Sequence, residues 1–589
     1  LNKDTLINHI KASNGSIKCD LVIKNVTIID VFNKNRFIDN IGVKDGYIIG
    51  IGDYDGYGIV DGTNKYICPG LIDSHCHIES SLVTPVEYSK LALLNGITSV
   101  IADPHEISNV MGTAGINFML NSSQNISFDI YFMLPSCVPG TSFESSGATL
   151  LSRDLKDFYK NDKVLGLAEV MDYPSVSECD EKIIDKIYDS IISNKVIDGH
   201  GAGFTSMMTN TYRAANILTD HECNNAEEAL DKIRRGMYIL IREGTVAKNL
   251  KELLPAVNES NSNRFCFCTD DKHIDDIAAN GSINSSIIYT INNSNLKPET
   301  AIQMATINPS LLYKLSNKGA IAPGYIADFI LLDNLEEFKI AQVYKEGKLV
   351  VSDNELVNFD RGLVKNTNID DFCNSINLPH LTEDSFKINI PNKDVNRLNA
   401  IEIIPNKLES IHLKLNISDI SSMKDNNSKF FNSSPKDDLA KIAVIERHKA
   451  SGNLGLGILK GLGILEGAIA TTIAHDSHNL ILAGANDRDM LFAAKELERM
   501  GGGIIVVRDE IILAHIQLEI GGLMTNRTYG EIELDLENLH SAIKIIAPNI
   551  DFNPFLTLSF LSLPVIPDLK ITDKGLFDVI NFKFIDIFE

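Results

Sequence analysis

Short apolar runs separated by turn residues dominate the first part of the chain. Between residues 20 and 66 they are Leu21-Val22-Ile23, Val26-Thr27-Ile28-Ile29, Ile41-Gly42-Val43 and Tyr47-Ile48-Ile49-Gly50-Ile51, with Lys44-Asp45-Gly46 as a turn signal between two of them. Runs of this length with turn punctuation predict strands and hairpins. The same texture returns at 319–365, in Ala327–Leu332 and Gln342–Val351. The two pieces, 1–66 and 319–365, are expected to form one small composite β-sandwich, with everything between them inserted.

The insert, 67–318, alternates strand-like and helix-like segments. Strands are expected at Thr98–Ala102, Asp129–Met133, Val164–Ala168 and Phe265–Cys268, and helices at Pro85–Asn95, Asp180–Ser193 and Ala226–Arg242. Repeated β-α order implies parallel strands, and roughly 250 residues suits a (β/α)8 barrel of the TIM type. From 366 the chain becomes Asn-, Asp-, Ser- and Lys-rich, most of all at Ser421–Asp437, which reads as a linker. Residues 438–589 again mix strand and helix patterns, with a helix expected at Asp487–Met500 and a strand at Ile504–Val507. The region 366–589 is therefore taken as linker plus a C-terminal α+β domain. The glycines between Gly452 and Gly463 are not followed by Gly-Lys-Ser/Thr, so close backbone packing is expected there rather than a phosphate loop.

Composition narrows the function classes. A length of 589 residues implies several domains. The formal net charge of −24 disfavours binding to nucleic-acid phosphates. No long uninterrupted apolar window marks a membrane span, and the polar stretch Leu1–Asp20 lacks a signal-peptide core. The nine cysteines are scattered without Cys-x-x-Cys pairs, which fits reduced thiols in a cytoplasmic protein, and Cys266 and Cys268 read as core residues.

Chemistry enters at the expected strand ends. His75 and His77 follow an apolar run two residues apart, so they project to the same side of one strand. Neutral imidazole is a common metal ligand, and such a pair makes half of a catalytic metal site. Glu169 follows Leu165–Ala168, His200 follows Val196–Gly199, His221 lies in Leu218–Glu222, and Asp270 follows Phe265–Thr269. Taken singly, His200 is also readable as a turn histidine among glycines, His221 as a helix-cap neighbour, and Asp270-Asp271 as a helix cap. Six such coincidences inside one β/α pattern favour a metal centre. Imidazole and carboxylate ligands suit Zn2+, Fe2+ or Mn2+.

The arrangement resembles the amidohydrolase superfamily, whose barrels carry His-x-His after the first strand, later single histidines and an Asp after the last strand. Many members bridge their metals with a carboxylated lysine. Here the matching segment is Gly166-Leu167-Ala168-Glu169-Val170-Met171, so Glu169 would bridge directly. The closer resemblance is to the bacterial adenine deaminase family. It is carried by Ala102-Asp103-Pro104-His105-Glu106-Ile107, Asp198-Gly199-His200, Thr219-Asp220-His221-Glu222 and Cys268-Thr269-Asp270-Asp271-Lys272-His273 in the barrel. Beyond the barrel it is carried by Glu446-Arg447-His448, Ala474-His475-Asp476-Ser477-His478-Asn479 and Met500-Gly501-Gly502-Gly503. One departure is Gly201-Ala202 after His200, where the family usually has Ala-Pro.

The resemblance implies hydrolysis of adenine to hypoxanthine and ammonia, in purine salvage or adenine catabolism. It implies a binuclear divalent centre of Mn2+ or Fe2+, with Zn2+ as a further candidate, held by His75, His77, Glu169, His200, His221 and Asp270. A divalent ion lowers the pKa of water and so yields a nucleophile strong enough for an aromatic carbon. Asp270 is expected to take the nucleophile's proton. His105 and Glu106 are expected to relay protons, and Asp271 and Glu79 to meet ring N–H groups. The expected partners are the small-molecule substrate and further copies of the chain in a homo-oligomer, with no nucleic acid and no membrane. The competing readings are an amidohydrolase acting on a cyclic amide or other aminated heterocycle, and a non-catalytic scaffold. For His475 and His478 three readings stand: a cap on the active site, an extra metal site, or an internal network around Asp476 and Asn479.

Overall fold

The computed structural model describes residues 2–360, 369–391, 395–423 and 429–589. The end of the second β piece, at 361–365, and part of the expected linker lie outside the described residues.

A helix, Lys3–Ser13, precedes a nine-stranded mixed sheet. The sheet takes Cys19–Asp30, Asn35–Lys44, Tyr47–Ile51, Gly56–Asp61 and Tyr66–Pro69 from the first piece. Phe329–Asn334, Lys339–Lys345, Lys348–Ser352 and Glu355–Leu356 come from the second. The pieces are joined where Tyr66–Pro69 pairs antiparallel with Phe329–Asn334, Ile67 opposite Leu331 and Cys68 opposite Ile330. Asp45 and Gly46 both take left-handed φ, 49° and 78°, the backbone of a tight hairpin turn matched to strand twist. Ile23, Val26, Ile28, Ile67, Phe329 and Leu331 fill one core, so residues nearly three hundred positions apart stabilise each other.

Eight parallel strands follow between the two pieces. They are β1 (Leu71–Cys76), β2 (Ile97–Ala102), β3 (Asp129–Leu134), β4 (Val164–Val170), β5 (Val196–Gly199), β6 (Thr219–Asp220), β7 (Tyr238–Arg242) and β8 (Phe265–Cys268). β1 to β5 pair in sequence order, and so do β6 to β8. Main-chain bonds stitch the two arcs into a ring. The Leu218 N–H donates to the Ile197 carbonyl at 2.8 Å on one side. On the other, the Asp270 N–H donates to His75 at 3.0 Å and the His77 N–H to Asp270 at 3.1 Å. Cys266 and Cys268 are fully buried in this barrel.

One expected element is corrected. The helix expected over Ala226–Arg242 stops at Arg234, and Tyr238–Arg242 is the seventh barrel strand. Gly236, at φ +86°, ends the helix in a conformation that costs a glycine little. Ile239, Leu240 and Ile241 are all fully buried, so a run apolar at every position offers no period to separate strand from helix.

Beyond the barrel, an eight-stranded sheet runs from Arg397–Ile403 to Ile511–Gln517 in chain order of its members. The helix Asp487–Met500 packs on it through Met490, Ala493, Ala494 and Leu497, the spacing of one helix face. Its start is capped by Asn486, which accepts the Asp489 N–H at 2.8 Å, and Gly501 ends it at φ +77°. Gly455 lies on the strand Leu454–Lys460. A Cβ there would stand 1.9 Å from the Thr572 carbonyl, so this glycine serves close packing. The segment Thr472–Asn479 and the helix Pro554–Phe560 of this C-terminal region reach the open end of the barrel. No helix of the described residues is long and apolar enough to cross a membrane.

Candidate active site

The C-terminal ends of the barrel strands converge on one buried cleft, the position that serves catalysis in this architecture. His75 lies on β1 and His77 one residue past its end. The His77 Nδ1 lies 3.0 Å from the Asp103 carbonyl, which can only accept, so Nδ1 carries a proton and Nε2 is the nitrogen turned into the site. That Nε2 faces Asp270 Oδ1 at 3.1 Å and Glu169 Oε1 at 3.4 Å. His75 Nε2 lies 3.3 Å from the same Asp270 oxygen and makes no hydrogen bond.

Glu169, on β4, divides its carboxylate between two sets of imidazoles. Oε1 faces His77, while Oε2 lies 2.9 Å from His200 Nδ1 and 3.1 Å from His221 Nε2. His75 and His221 stack with ring centroids 4.4 Å apart. Burial alone would raise the Glu169 carboxyl, but His221, His200 and His77 hold it well below the usual range. Burial likewise opposes ionisation of Asp270, and the Arg242 guanidinium with His75 and His77 outweighs it. Carboxylates held ionised, imidazoles turned towards them and a buried His75 ring nitrogen without a hydrogen-bond partner are a donor set that suits a divalent ion. The six sequence-predicted ligands are all brought together, and their donor atoms form overlapping groups around Glu169 and Asp270. None of the single-residue alternatives fits. His200 bonds Glu169, His221 precedes a helix capped by Asn225, and the helix after Asp271 is preceded by His273.

The cleft is lined by these residues together with His105, Glu106, Asp271, Glu222 and Arg242. His105 Nδ1 pairs with Asp103 Oδ2 at 2.9 Å. Burial works against its cation, but Asp103, reinforced by Asp476, raises its pKa well above the ordinary value. Glu106 is pushed well above the carboxylate range by burial and then by Asp271 and Glu79. Ser80 bridges the Glu106 and Asp271 carboxylates. Glu79 is buried close by, its Oε1 accepting the Ile107 N–H at 3.3 Å and its Oε2 without a partner.

Several site residues escaped the sequence reading. Arg242 ends β7, donating to Asp270 Oδ2 at 2.8 Å and pairing with Glu222. Its signal was its place at the end of an apolar run, hidden by the helix expectation. From the C-terminal region come Leu408, Asp476, Phe560, Leu563 and Ile566. The apolar four carry no local signal, because only the fold makes them neighbours of the barrel. His475 lines the cleft too, stacked on Phe560 at 4.4 Å between centroids, with Nδ1 3.5 Å from Glu106 Oε1. His478 lies behind it, its Nδ1 accepting the Ala474 N–H at 3.3 Å. The segment thus lies over the barrel mouth, and Glu106, His475 and His478 bring donor atoms within 4.8 Å of one another, so the extra-metal reading stands beside the cap.

A parallel eight-stranded barrel with histidines and acids at its strand ends defines a metal-dependent hydrolase of the amidohydrolase class, and residues 66–350 match the amidohydrolase family. Residues 418–583 match the adenine deaminase C-terminal domain. The adenine deaminase of Geobacillus kaustophilus is 47% identical, over 99% of this chain and 99% of its own. That of Bacillus subtilis is 44% identical over the whole of both. Among solved structures, a β-aspartyl dipeptidase from Fervidobacterium islandicum is 18% identical, covering 58% of this chain and 99% of that one with a TM-score of 0.42. The chain belongs to the adenine deaminase family.

Proposed function

We propose that this chain hydrolyses adenine to hypoxanthine and ammonia, the water oxygen replacing the amino group at C6, as a step of cytoplasmic purine salvage. The observation that carries the reading is the division of the Glu169 carboxylate between two imidazole sets inside one buried cleft. It suits a pair of divalent ions, one near His75, His77 and Asp270 and the other near His200 and His221, with Glu169 between them. Mn2+ and Fe2+ are the leading candidates and Zn2+ a third. Such ions supply Lewis acidity that activates water at neutral pH.

The chain's own groups supply the rest. Asp270, held ionised by Arg242, takes the proton that water gives up as its oxygen adds to C6. The ring takes a proton at N1, and the amino nitrogen takes one as the C6–N bond breaks and ammonia leaves; the second water proton comes off the C6 hydroxyl as the carbonyl forms, so the two protons lost by water equal the two delivered. Glu106 and His105, both biased towards their protonated forms, are the donors within the cleft. Leu408, Phe560, Leu563 and Ile566 supply apolar surface for the purine faces and keep bulk water out.

The test is conversion of adenine by metal-loaded protein, followed as hypoxanthine and ammonia. Stoichiometric appearance of both supports the reading. Adenine left untouched while adenosine or a cyclic amide turns over would overturn it.

A further inference from the structure

Buried polar atoms without partners cost free energy and call for an explanation. In the C-terminal region five of them fall on consecutive residues, His475 Nε2, Asp476 Oδ2, Ser477 Oγ, His478 Nε2 and Asn479 Oδ1, with Ser559 Oγ besides. The segment is nevertheless held firmly. Arg447, fully buried, donates to the main-chain carbonyls of Thr472, His478 and Gly521. Asn479 Nδ2 donates to the Ser145 carbonyl at 2.8 Å. Gly140 lies against Asp476, where a Cβ would come within 3.2 Å of Oδ2. A rigid loop with unmet hydrogen-bonding capacity at the mouth of a cleft is preorganised for a ligand.

Asp476 is the one acid this loop presents to the cleft. It is 3% exposed, and its Oδ1 stands 3.7 Å from His105 Nε2. His105 Nδ1 in turn lies 3.5 Å from Glu169 Oε1, so one imidazole separates Asp476 from the Glu169 carboxylate. An ionised carboxylate accepts hydrogen bonds and donates none. Adenine offers N–H groups in two places only, the C6 amino group and the five-membered ring. With C6 at the metal ligands, the five-membered ring is the part that extends away from them.

We propose that Asp476 accepts the N–H of the purine's five-membered ring, and that the C-terminal region thereby selects the free base over N9-substituted purines. The proposal rests on adenine being the substrate. N9 substitution removes the donor and leaves a buried carboxylate facing a carbon, which is the stronger form of discrimination available to a binding site.

The experiment uses the metal-loaded full chain, wild type and Asp476→Asn. It compares kcat/KM for adenine and 9-methyladenine, and calorimetric Kd for the products hypoxanthine and 9-methylhypoxanthine, which bind without turnover. Wild type is expected to prefer each N–H form by about 10- to 100-fold, the worth of one hydrogen bond to a charged acceptor. The variant is expected to lose most of that preference, read as the ratio between the two members of each pair so that any effect through His105 cancels, and Asp476→Glu to restore part of it. An equal loss on both members of each pair, or a wild type indifferent to N9 methylation, overturns the proposal. A wild type that binds hypoxanthine selectively but leaves adenine unreacted overturns the catalytic reading instead, so the two failures are distinct.

Discussion

Arg242 holds one oxygen of Asp270 while the metal-facing histidines address the other. Its guanidinium donates to Oδ2 at 2.8 Å, and Oδ1 lies 3.1 Å from His77 Nε2 and 3.3 Å from His75 Nε2. One carboxylate is thereby fixed in both orientation and charge. Replacing Arg242 with Gln removes the largest influence that lowers the Asp270 pKa, so that pKa moves up. The acid limb of the kcat/KM profile is expected to shift to higher pH, and metal affinity to fall by about 10- to 100-fold, as for other groups that orient a metal ligand. A pH–rate series with metal analysis checks both.

Glu169→Gln keeps the shape of the side chain and removes its charge. An amide cannot serve both imidazole sets as two equivalent oxygens. Bound metal is expected to fall, and turnover to drop by more than the roughly 100-fold limit typical of outer contacts. Elemental analysis beside the ammonia assay reads the result. Full metal content with near-normal turnover would contradict the bridging role.

Arg447 is expected to matter for stability and for the cleft together. Its guanidinium meets only carbonyl and hydroxyl oxygens, from Ser375, Thr472, His478 and Gly521. Arg447→Met strands those acceptors and is expected to cost about 2–4 kcal/mol in denaturant unfolding. KM for adenine should rise with it, because the loop bearing His475 and Asp476 loses its anchor.

Lys570 gives a pH signature. Its ammonium is fully buried and donates to the carbonyls of Leu408 and Phe560, at 2.6 Å and 3.1 Å. Burial pushes its pKa down from 10.5 to about 7. Between those values the unfolded chain carries a proton that the folded chain lacks, so stability from this group rises with pH. Relative to Lys570→Met, wild type is expected to gain roughly 1 kcal/mol per pH unit from about pH 7 to pH 9. A flat difference across that window would refute the assignment.

The sequence showed the barrel because its strands are short apolar runs ending in polar residues, and it pointed to the candidate ligands because each sits at such an end. The hairpin at Asp45-Gly46 and the helix Asp487–Met500 were legible for local reasons, a turn dipeptide in one case and a heptad-like face with Asn486 and Gly501 in the other. Arg242 was lost because Ile239-Leu240-Ile241 is buried on every side and carries no period. Leu408, Phe560, Leu563 and Ile566 were beyond reach for a different reason. Nothing local marks a leucine as the wall of a cleft built by a strand three hundred residues away. Glu79, expected to meet a ring N–H group, sits in the 3-10 turn at Ile78–Ser81 with Oε1 accepting the Ile107 N–H and Oε2 without a partner.

The ring of strands closes where the Asp270 N–H meets the His75 carbonyl and the His77 N–H meets the Asp270 carbonyl. The same residues carry three of the side chains proposed as metal ligands, so the seam of the barrel and that part of the proposed centre are a single object. An ion held there works as a rivet across the last join of the fold. Metal-loaded protein is therefore expected to unfold at a higher temperature than metal-free protein, with the gain arising at the join of β1 and β8.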